Sequence, residues 1–484
     1  MRAPRLSLYW LLPFLLTAVQ AWVSWKFCHE IRSEELAESV RNVYWLEHRL
    51  LYDGVSSNVG WYASLMVFYR VCGFSLYSAK LVRLILWLLG LLGAADLLRR
   101  FLGPRLAWAP LVLLGLSPTA LYFGAMQTSF AVDVPFAAIC LWLLLASFRR
   151  TPGDRLGWAL AFAGGFVAMV AALAYPGFLF YLPSLALVAW FAPPDRSAPW
   201  PRWLSAGAGF ATPLLAALAY VSPASMLIYD PATHTGVFRG GGQVGLDPAT
   251  AWASLGVVLR DLFVRGESYY FELSRPEFSG IAASAGLGWI GLTVICRCVR
   301  GRANRVVVGA ALLLLALNLT VPNLSTNGLP GLRRCTGVIT AYVVLFTVAW
   351  QYYAGLPAGR AGLRRAGLAL CLLLPLSHAL KLPSLLVDAS RASRYNAGDW
   401  FVLRPSPTAS LAYVMDQLDH GQVLAIYGPT GRILPVRYQE IYAAVSGARL
   451  WNQGRDRPVP AIDWKTGRRI TLTPALWTDY YFPH

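Results

Sequence analysis

Four glutamates stand close together near the start of a chain that is otherwise apolar there. They follow an apolar run of membrane length at residues 7–26, and they are Glu30, Glu34, Glu35 and Glu38. Acidic side chains beside a membrane span belong to an ion path, to a catalytic cleft or to a solvated loop. In a cleft, a carboxylate takes a proton from a reacting hydroxyl group or positions that group. Proton transfer is therefore the first chemistry to consider for this segment.

Glu34 is the strongest candidate base of the four, and it also has a purely structural interpretation. Residues 34–51 have the apolar spacing of an amphipathic helix. Ser33 suits the N-cap of that helix, and an acid in its first turn interacts favourably with the helix dipole. Glu35 points to a different side of the same helix and is expected to be solvated.

Composition predicts the fold class, an all-α polytopic membrane protein. The chain is 56% hydrophobic and only 14% charged, with a mean hydropathy of +0.48, whereas soluble proteins carry about 25% charged residues. The apolar runs are continuous rather than alternating, which excludes a β-barrel. Eleven transmembrane helices are predicted, at residues 7–26, 79–98, 106–123, 130–148, 156–173, 177–192, 203–221, 281–299, 305–321, 336–354 and 363–380.

Arginines between these runs predict the orientation of the chain. Every second join is rich in arginine, whereas the short joins at 123–129 and 174–176 contain neither arginine nor lysine. Short cytoplasmic joins carry an excess of positive residues. The N-terminus is therefore predicted to be cytoplasmic, with residues 7–26 kept as a helix rather than removed as a signal peptide.

The same orientation places the long polar segments outside the cytoplasm and divides the chain in two. Residues 1–380 are predicted to form the transmembrane domain, with outer loops at 27–78 and 222–280. Residues 381–484 are predicted to form a small extracytoplasmic α/β domain, because a strand pattern at 422–427 lies between helical patterns. We expect a multi-pass protein of the plasma (inner) membrane with its C-terminus outside.

The net charge of +18 does not predict a nucleic-acid partner. It comes almost wholly from arginines that punctuate the apolar runs, instead of gathering on one soluble face. The seven cysteines have no metal-ligand spacing. No cofactor is predicted, and a divalent metal at His29, His234 and Glu30 stays an alternative that their spacing does not support.

Further candidates lie at the predicted outer ends of the spans. Asp133 stands near one such end, where an unpaired acid is costly and a role in a site is favoured as much as a structural one. Guanidinium groups suit an anionic phosphate, although they also anchor helices by reaching toward the membrane surface. The outer arginines are Arg32, Arg239, Arg265, Arg333 and Arg334.

Several short motifs follow one another in the first 150 residues. After the acidic segment come Leu51-Tyr52-Asp53-Gly54, Gly60-Trp61-Tyr62, Gly73-Phe74-Ser75, Leu81-Val82-Arg83-Leu84, and Leu116-Ser117-Pro118 followed by Asp133. A weaker match is Gly331-Leu332-Arg333-Arg334 before a late span. This order resembles the GT-C class of integral-membrane glycosyltransferases, in the branch of the protein O-mannosyltransferases and the lipid A aminoarabinose transferases.

The resemblance implies an inverting glycosyltransferase that moves a sugar from a polyprenyl-phosphate donor to a lipid, glycan or protein acceptor outside the cytoplasm. It implies catalytic roles for Glu34, Glu30 and Asp133. It implies substrate binding by Tyr62, Arg239, Arg265, Arg333 and Arg334. The family's catalytic aspartate would fall at Ser33, which cannot act as a base. Either a neighbouring glutamate has its role, the alignment shifts by one residue, or activity is changed or lost.

Other functions stay open from the sequence. A transporter or flippase for lipid-linked glycans is disfavoured, because such proteins show internal repeats and none is found here. A non-catalytic GT-C-like membrane scaffold is kept open by Ser33. A glycan polymerase or ligase of the same broad class would rely more on the outer arginines than on acids.

Overall fold

A computed structural model describes most of the predicted membrane domain and short pieces of the rest. It describes residues 8–26, 39, 43, 46, 58–73, 78–126, 128–151, 153–191, 200–220, 228–230, 235–237, 252–253, 255–256, 258–260, 278–298, 302–321, 335–395, 459–462 and 469–472. The α-helices there are α1 (Leu12–Lys26), α2 (Val59–Cys72), α3 (Ser78–Leu102), α4 (Trp108–Gly115), α5 (Pro118–Ala125), α6 (Asp133–Phe148), α7 (Arg155–Ala174), α8 (Leu182–Phe191), α9 (Trp200–Tyr220), α10 (Phe278–Thr293), α11 (Arg302–Thr320), α12 (Gly337–Ala354) and α13 (Ala361–Tyr395).

The described helices make the chain a multi-pass membrane protein. Seven of them are long and apolar enough to cross a membrane, and an eighth crossing exists if the bent pair α4 and α5 is one span. Three further apolar helices are shorter, at Asp133–Phe148, Pro176–Phe191 and Asn304–Thr320. Each predicted span overlaps a described helix, and the number of eleven crossings stays a prediction.

Strands occur only as two short antiparallel pairs among the described residues. β1 (Ile228–Asp230) pairs with β2 (Thr235–Val237), and β3 (Val459–Ile462) pairs with β4 (Arg469–Leu472). The strand predicted at 422–427 lies outside the described residues. The C-terminal α/β domain therefore stays a prediction.

The Leu116-Ser117-Pro118 motif bends one predicted span. Helices α4 and α5 meet there at 49°. Pro118 is the first residue of α5, where it has no hydrogen bond to donate, and the Ser117 hydroxyl accepts from the Ala120 amide at 3.3 Å as the N-cap. The bend brings α5 next to α1. The Gln20 and Ser24 side chains of α1 donate to the carbonyls of Leu121 and Ala125.

Helix α2 lies in the segment predicted to be the first outer loop. It packs on α7, and Gly60 makes this possible, because a Cβ at Gly60 would lie 2.5 Å from the Val170 carbonyl oxygen. Of the helix predicted at 34–51, the structure describes Ser39, Val43 and Leu46, all buried.

The arginine-bearing joins meet at one end of the bundle, here called the arginine-rich end. Asp96 accepts hydrogen bonds there from Arg99 (3.0 Å), Arg100 (2.6 Å) and the Trp142 indole (3.0 Å). Nearby, the buried Arg202 donates to the carbonyls of Arg150 and Thr151 and so joins α9 to the α6–α7 turn. These contacts support one common side for the joins, as the sequence predicts.

Candidate functional site

Asp133 is the predicted site residue whose surroundings the structure describes best. It is the first residue of α6 and only 1% of its surface is exposed. Pro135 of the same helix packs against Gly90 in the middle of α3. Asp133 therefore lies deep in the bundle, between the outer ends of the helices and the arginine-rich end.

A hydroxyl group from a distant part of the chain holds one oxygen of this carboxylate. Thr336, which directly precedes α12, donates its Oγ1 hydrogen to Asp133 Oδ2 at 2.6 Å. The buried Tyr181 hydroxyl also interacts with the carboxylate and shares a 3.1 Å hydrogen bond with Thr340 Oγ1. Within the described part of the chain, Asp133 Oδ1 has no hydrogen-bond partner.

The backbone before Asp133 is strained. Ala131 has a φ of +57°, and it is the one non-glycine residue with positive φ among those described. This left-handed conformation costs an L-residue roughly 1–2 kcal/mol. Strain of this kind persists where the surrounding packing enforces it, often next to functional groups. Ala131 and Val132 are both buried, so packing holds the turn that aims Asp133 inward.

Three buried cations form a second layer, closer to the outer end of the bundle. Lys80 Nζ donates to the Ser24 carbonyl at 3.2 Å, and Arg83 Nη2 donates to the Phe123 carbonyl at 2.9 Å. Arg83 also lies 5.8 Å from the Trp61 ring centroid. Lys381 of α13 is 1% exposed and directly precedes Leu382, which packs with the cluster around Phe123. Lys80, Arg83 and Lys381 are called the cation layer below.

Aromatic contacts connect the cation layer to the turn before Asp133. The Phe123 ring lies 5.7 Å from the Phe130 ring, and Phe130 lies 6.3 Å from Tyr175 at the end of α7. In the same turn, Ser129 accepts a 2.8 Å hydrogen bond from the Asn58 amide that precedes α2. The carboxylate and the cations thus belong to one packed region.

The electrostatic balance of this region is positive among the described side chains. Asp96, Asp133 and Asp154 are the acids whose side chains the structure describes, and the first and last of them belong to the arginine-rich end. Asp133 is therefore the one described acid in the half of the bundle that contains three buried cations. The carbonyl contacts of Lys80 and Arg83 are part of what holds these buried charges in place.

Of the other predicted catalytic and substrate-binding residues, the structure describes Tyr62. Tyr62 is 2% exposed and belongs to the apolar cluster of α2, α6 and α7. The remaining predicted catalytic and substrate-binding residues lie outside the described residues, and they are Glu30, Glu34, Arg239, Arg265, Arg333 and Arg334. Their roles stay predictions. No group of three potential metal ligands occurs among the described residues, and His29 and His234 lie outside them.

Sequence reasoning missed Thr336, Tyr181, Thr340 and Lys80. Lys80 had a detectable signal, because only four lysines occur in the chain and this one stands three residues before Arg83 at the start of an apolar run. The three hydroxyl residues had none, because they meet Asp133 only through tertiary packing.

Comparison with solved structures shows which known fold this chain resembles. Two crystal structures of ArnT from Cupriavidus metallidurans superpose on this chain with a TM-score of 0.51. The structure bound to undecaprenyl phosphate is 14% identical and covers 94% of this chain and 93% of its own. The apo structure is 13% identical and covers 93% and 92%.

The chain has a GT-C-like fold. ArnT is an aminoarabinose transferase of the GT-C class, so the resemblance in the first 150 residues is confirmed at the level of the fold. No family model matches the sequence, and no curated protein matches it significantly. In this GT-C-like fold, Asp133 and the cation layer lie away from the arginine-rich end.

Proposed function

We propose that the chain is a membrane glycosyltransferase that uses a polyprenyl-phosphate sugar as donor and works at the end of the bundle opposite the arginine-rich end. The observation that carries this proposal is the cation layer, buried next to the region of Asp133 in a GT-C-like fold. A phosphate headgroup matches these cations in charge. An apolar polyprenyl tail suits a site between membrane helices.

The choice of donor rests on the cation layer together with the ligand of the ArnT structure. That structure contains undecaprenyl phosphate, which is a polyprenyl phosphate. In this chain, Lys80 and Arg83 stand one helical turn apart at the start of α3, so both can face one phosphate group. Arg333 and Arg334 come three and two residues before Thr336 in the sequence. Arg239 and Arg265 are further candidates for the phosphate.

The proposed reaction breaks the bond between the sugar C1 and the phosphate oxygen. An acceptor hydroxyl attacks C1 from the opposite face, so the configuration at C1 inverts and polyprenyl phosphate leaves. Cations stabilise the charge on the departing phosphate. The acceptor proton passes to a carboxylate, with Glu34 as first choice and Glu30 as second.

Asp133 has a distinct part in this proposal. Its Oδ2 is held by Thr336, whereas Oδ1 has no partner within the described part of the chain. A rigidly held carboxylate deep in the bundle suits the positioning of a sugar or acceptor hydroxyl better than it suits exchange with solvent. Tyr62 is buried and packs in the wall of this region rather than at its surface.

The proposed location is the plasma (inner) membrane, with a cytoplasmic N-terminus and an extracytoplasmic C-terminus. The common end of the arginine joins supports this orientation. A lipid, a glycan or a protein are the candidate acceptors. The proposed sugar is a hexose or a pentose.

Binding of a polyprenyl phosphate, the part of the donor that carries the phosphate, by variants of the full-length protein tests the site. Undecaprenyl phosphate is titrated in detergent micelles and bound lipid is counted by native mass spectrometry. Loss of a charge-assisted hydrogen bond costs about 1.5–3 kcal/mol, so Lys80→Gln and Arg83→Gln should each weaken binding about 10- to 100-fold. The control Arg155→Gln, an exposed arginine at the other end, should bind as wild type.

Three further variants separate loss of binding from loss of folding and from loss of catalysis. Lys80→Arg preserves the charge and should recover most of the affinity, which a folding defect would not allow. Glu34→Gln should bind donor normally yet lose at least about 100-fold in turnover, and Glu35→Gln should be near wild type. Unchanged affinity in both cation variants would move the phosphate site elsewhere.

A further inference from the structure

A groove lies on the opposite side of the molecule, at the arginine-rich end. It has a volume of about 510 Å³ and is open to the surroundings of the bundle. Its apolar wall consists of Leu8, Leu12 and Leu15, which lie along one side of α1 and the 3₁₀ turn before it. Its other wall is the turn between α3 and α4, with Pro104, Arg105 and Trp108.

The turn that forms this second wall is rigidly built. Gly103 has a φ of +76° and its amide donates to the Arg99 carbonyl at 2.8 Å, which closes the C-terminus of α3. From α12, the Trp350 indole donates to the Leu106 carbonyl at 3.1 Å and Gln351 to the Phe101 carbonyl at 3.3 Å. Hydrogen bonds within the protein therefore fix the position of this wall of the groove.

Charge makes the groove asymmetric. Arg99 and Arg100 are both paired with Asp96, whereas Arg105 has no ion-pair partner within the described part of the chain. Arg105 stands at the mouth of the apolar wall and is exposed. Trp108 is 43% exposed beside it, and tryptophan side chains prefer the headgroup level of a membrane.

The dimensions suit one acyl chain. The wall from Leu8 to Leu15 advances along the helix axis by about 11 Å, and one leaflet of the hydrocarbon core is about 15 Å thick. An acyl chain lying along this wall would bring its headgroup to Arg105. A protein helix on the same wall would have to cover a free guanidinium group with an acid.

We propose that this groove binds an anionic phospholipid from the leaflet at the arginine-rich end. The acyl chain packs on Leu8, Leu12 and Leu15, and the headgroup phosphate pairs with Arg105. Twelve arginines and two aspartates have described side chains at this end, so the local field also favours an anionic headgroup over a zwitterionic one. This site is independent of the proposed glycosyl transfer.

Native mass spectrometry of the full-length protein with phosphatidylglycerol and phosphatidylcholine tests this site. Wild type should bind phosphatidylglycerol more tightly. Arg105→Gln should weaken that binding about fivefold, equivalent to about 1 kcal/mol. It should weaken phosphatidylcholine binding less, because the choline ammonium already offsets the charge of that lipid's phosphate. The matched control Arg155→Gln removes the same charge from the same end outside the groove and should change neither affinity.

A second variant and a mapping experiment locate the bound lipid. Leu15 is 61% exposed, so Leu15→Trp is tolerated by the fold, fills the groove and should weaken binding of both lipids. A photoreactive phosphatidylglycerol should crosslink to residues 8–15 or 104–108. Equal affinity for the two lipids, equal effects of Arg105→Gln and Arg155→Gln, or crosslinks only elsewhere would each overturn the proposal.

Discussion

At the scale of single residues, the molecule is distinguished by ionisable groups buried in an apolar bundle. Such groups are rare among membrane helices because their desolvation is expensive. Asp133 satisfies one oxygen through Thr336. The cation layer satisfies part of its hydrogen-bonding capacity through the carbonyls of Ser24 and Phe123. The proposed site for a charged ligand would explain why these costs are retained.

The hydrogen bond from Thr336 to Asp133 should contribute measurably to stability. Thr336→Val keeps the shape of the side chain and leaves a buried carboxylate oxygen without its donor, so unfolding free energy should fall by about 1–3 kcal/mol. The control is Thr347→Val in α12, the helix that begins after Thr336, because the Thr347 hydroxyl donates to the Val343 carbonyl one turn earlier. Thermal unfolding in one detergent compares the two, and equal losses would contradict a special role for the Asp133 contact.

Asp133 and its partners differ in how far the sequence predicts them. An acid at the end of an apolar run is conspicuous, so Asp133 could be predicted as a candidate. Thr336 is 203 positions away, and nothing local distinguishes it from other threonines. Which partner holds a buried charge depends on tertiary packing, and this is why the network around Asp133 was not predictable.

At the scale of elements, close helix contacts through glycine build the bundle. Helices α7 and α9 touch where Gly165 meets the Ala206 carbonyl and Gly209 meets the Phe162 carbonyl, and in each case a Cβ would collide with backbone. Small residues let membrane helices approach closely and pack by van der Waals contact. The close packing of α7 against α9 therefore requires glycine, which has no Cβ, at these two positions.

Gly209→Ala should separate α7 from α9. Overpacking of a tight contact costs about 1–3 kcal/mol, whereas alanine at an open helix position is about 0.5–1 kcal/mol better than glycine. Gly207 lies two residues away in the same helix with open space around its Cβ position. Gly207→Ala should therefore raise the unfolding temperature and Gly209→Ala lower it. A higher unfolding temperature in both variants would mean that α9 can move relative to α7 without loss of stability.

The elements were predictable where the apolar pattern alone decides them. Residues 106–123 read as one span because hydropathy is continuous across it, yet Ser117 and Pro118 divide it into α4 and α5. The residue before a proline avoids the helical conformation, so the bend was marked in the sequence. Its angle depends on the contacts of α5 with α1, which no local pattern contains.

At the scale of the whole molecule, the two ends of the bundle have different chemistry. One end gathers paired arginines, the Asp96 cluster and the proposed lipid groove, and the other half contains the cation layer and Asp133. A positive excess favours the cytoplasmic side. The orientation predicted from sequence is therefore expected to place the proposed reaction outside the cytoplasm.

Two native cysteines report this orientation directly. Cys72 at the end of α2 and Cys296 beside Arg297 are both free and exposed. In variants that keep only one of them, a membrane-impermeant maleimide should label Cys72 in intact cells and Cys296 only after permeabilisation. The reverse pattern would invert the topology and move the proposed reaction to the cytoplasmic side.

The central claim is that this GT-C-like chain transfers a sugar from a polyprenyl-phosphate donor. The most direct measurement places purified full-length protein in liposomes with a panel of polyprenyl-phosphate donors labelled in the sugar, and adds an envelope extract as the source of acceptors. The account predicts that one donor loses its label to an acceptor while free polyprenyl phosphate accumulates in equal amount. It also predicts that Lys80→Gln lowers both when the donor concentration is below saturation. Label that stays on the polyprenyl phosphate but changes leaflet would contradict the account and favour a flippase. Label that neither changes leaflet nor reaches an acceptor with any donor would contradict it and favour a scaffold.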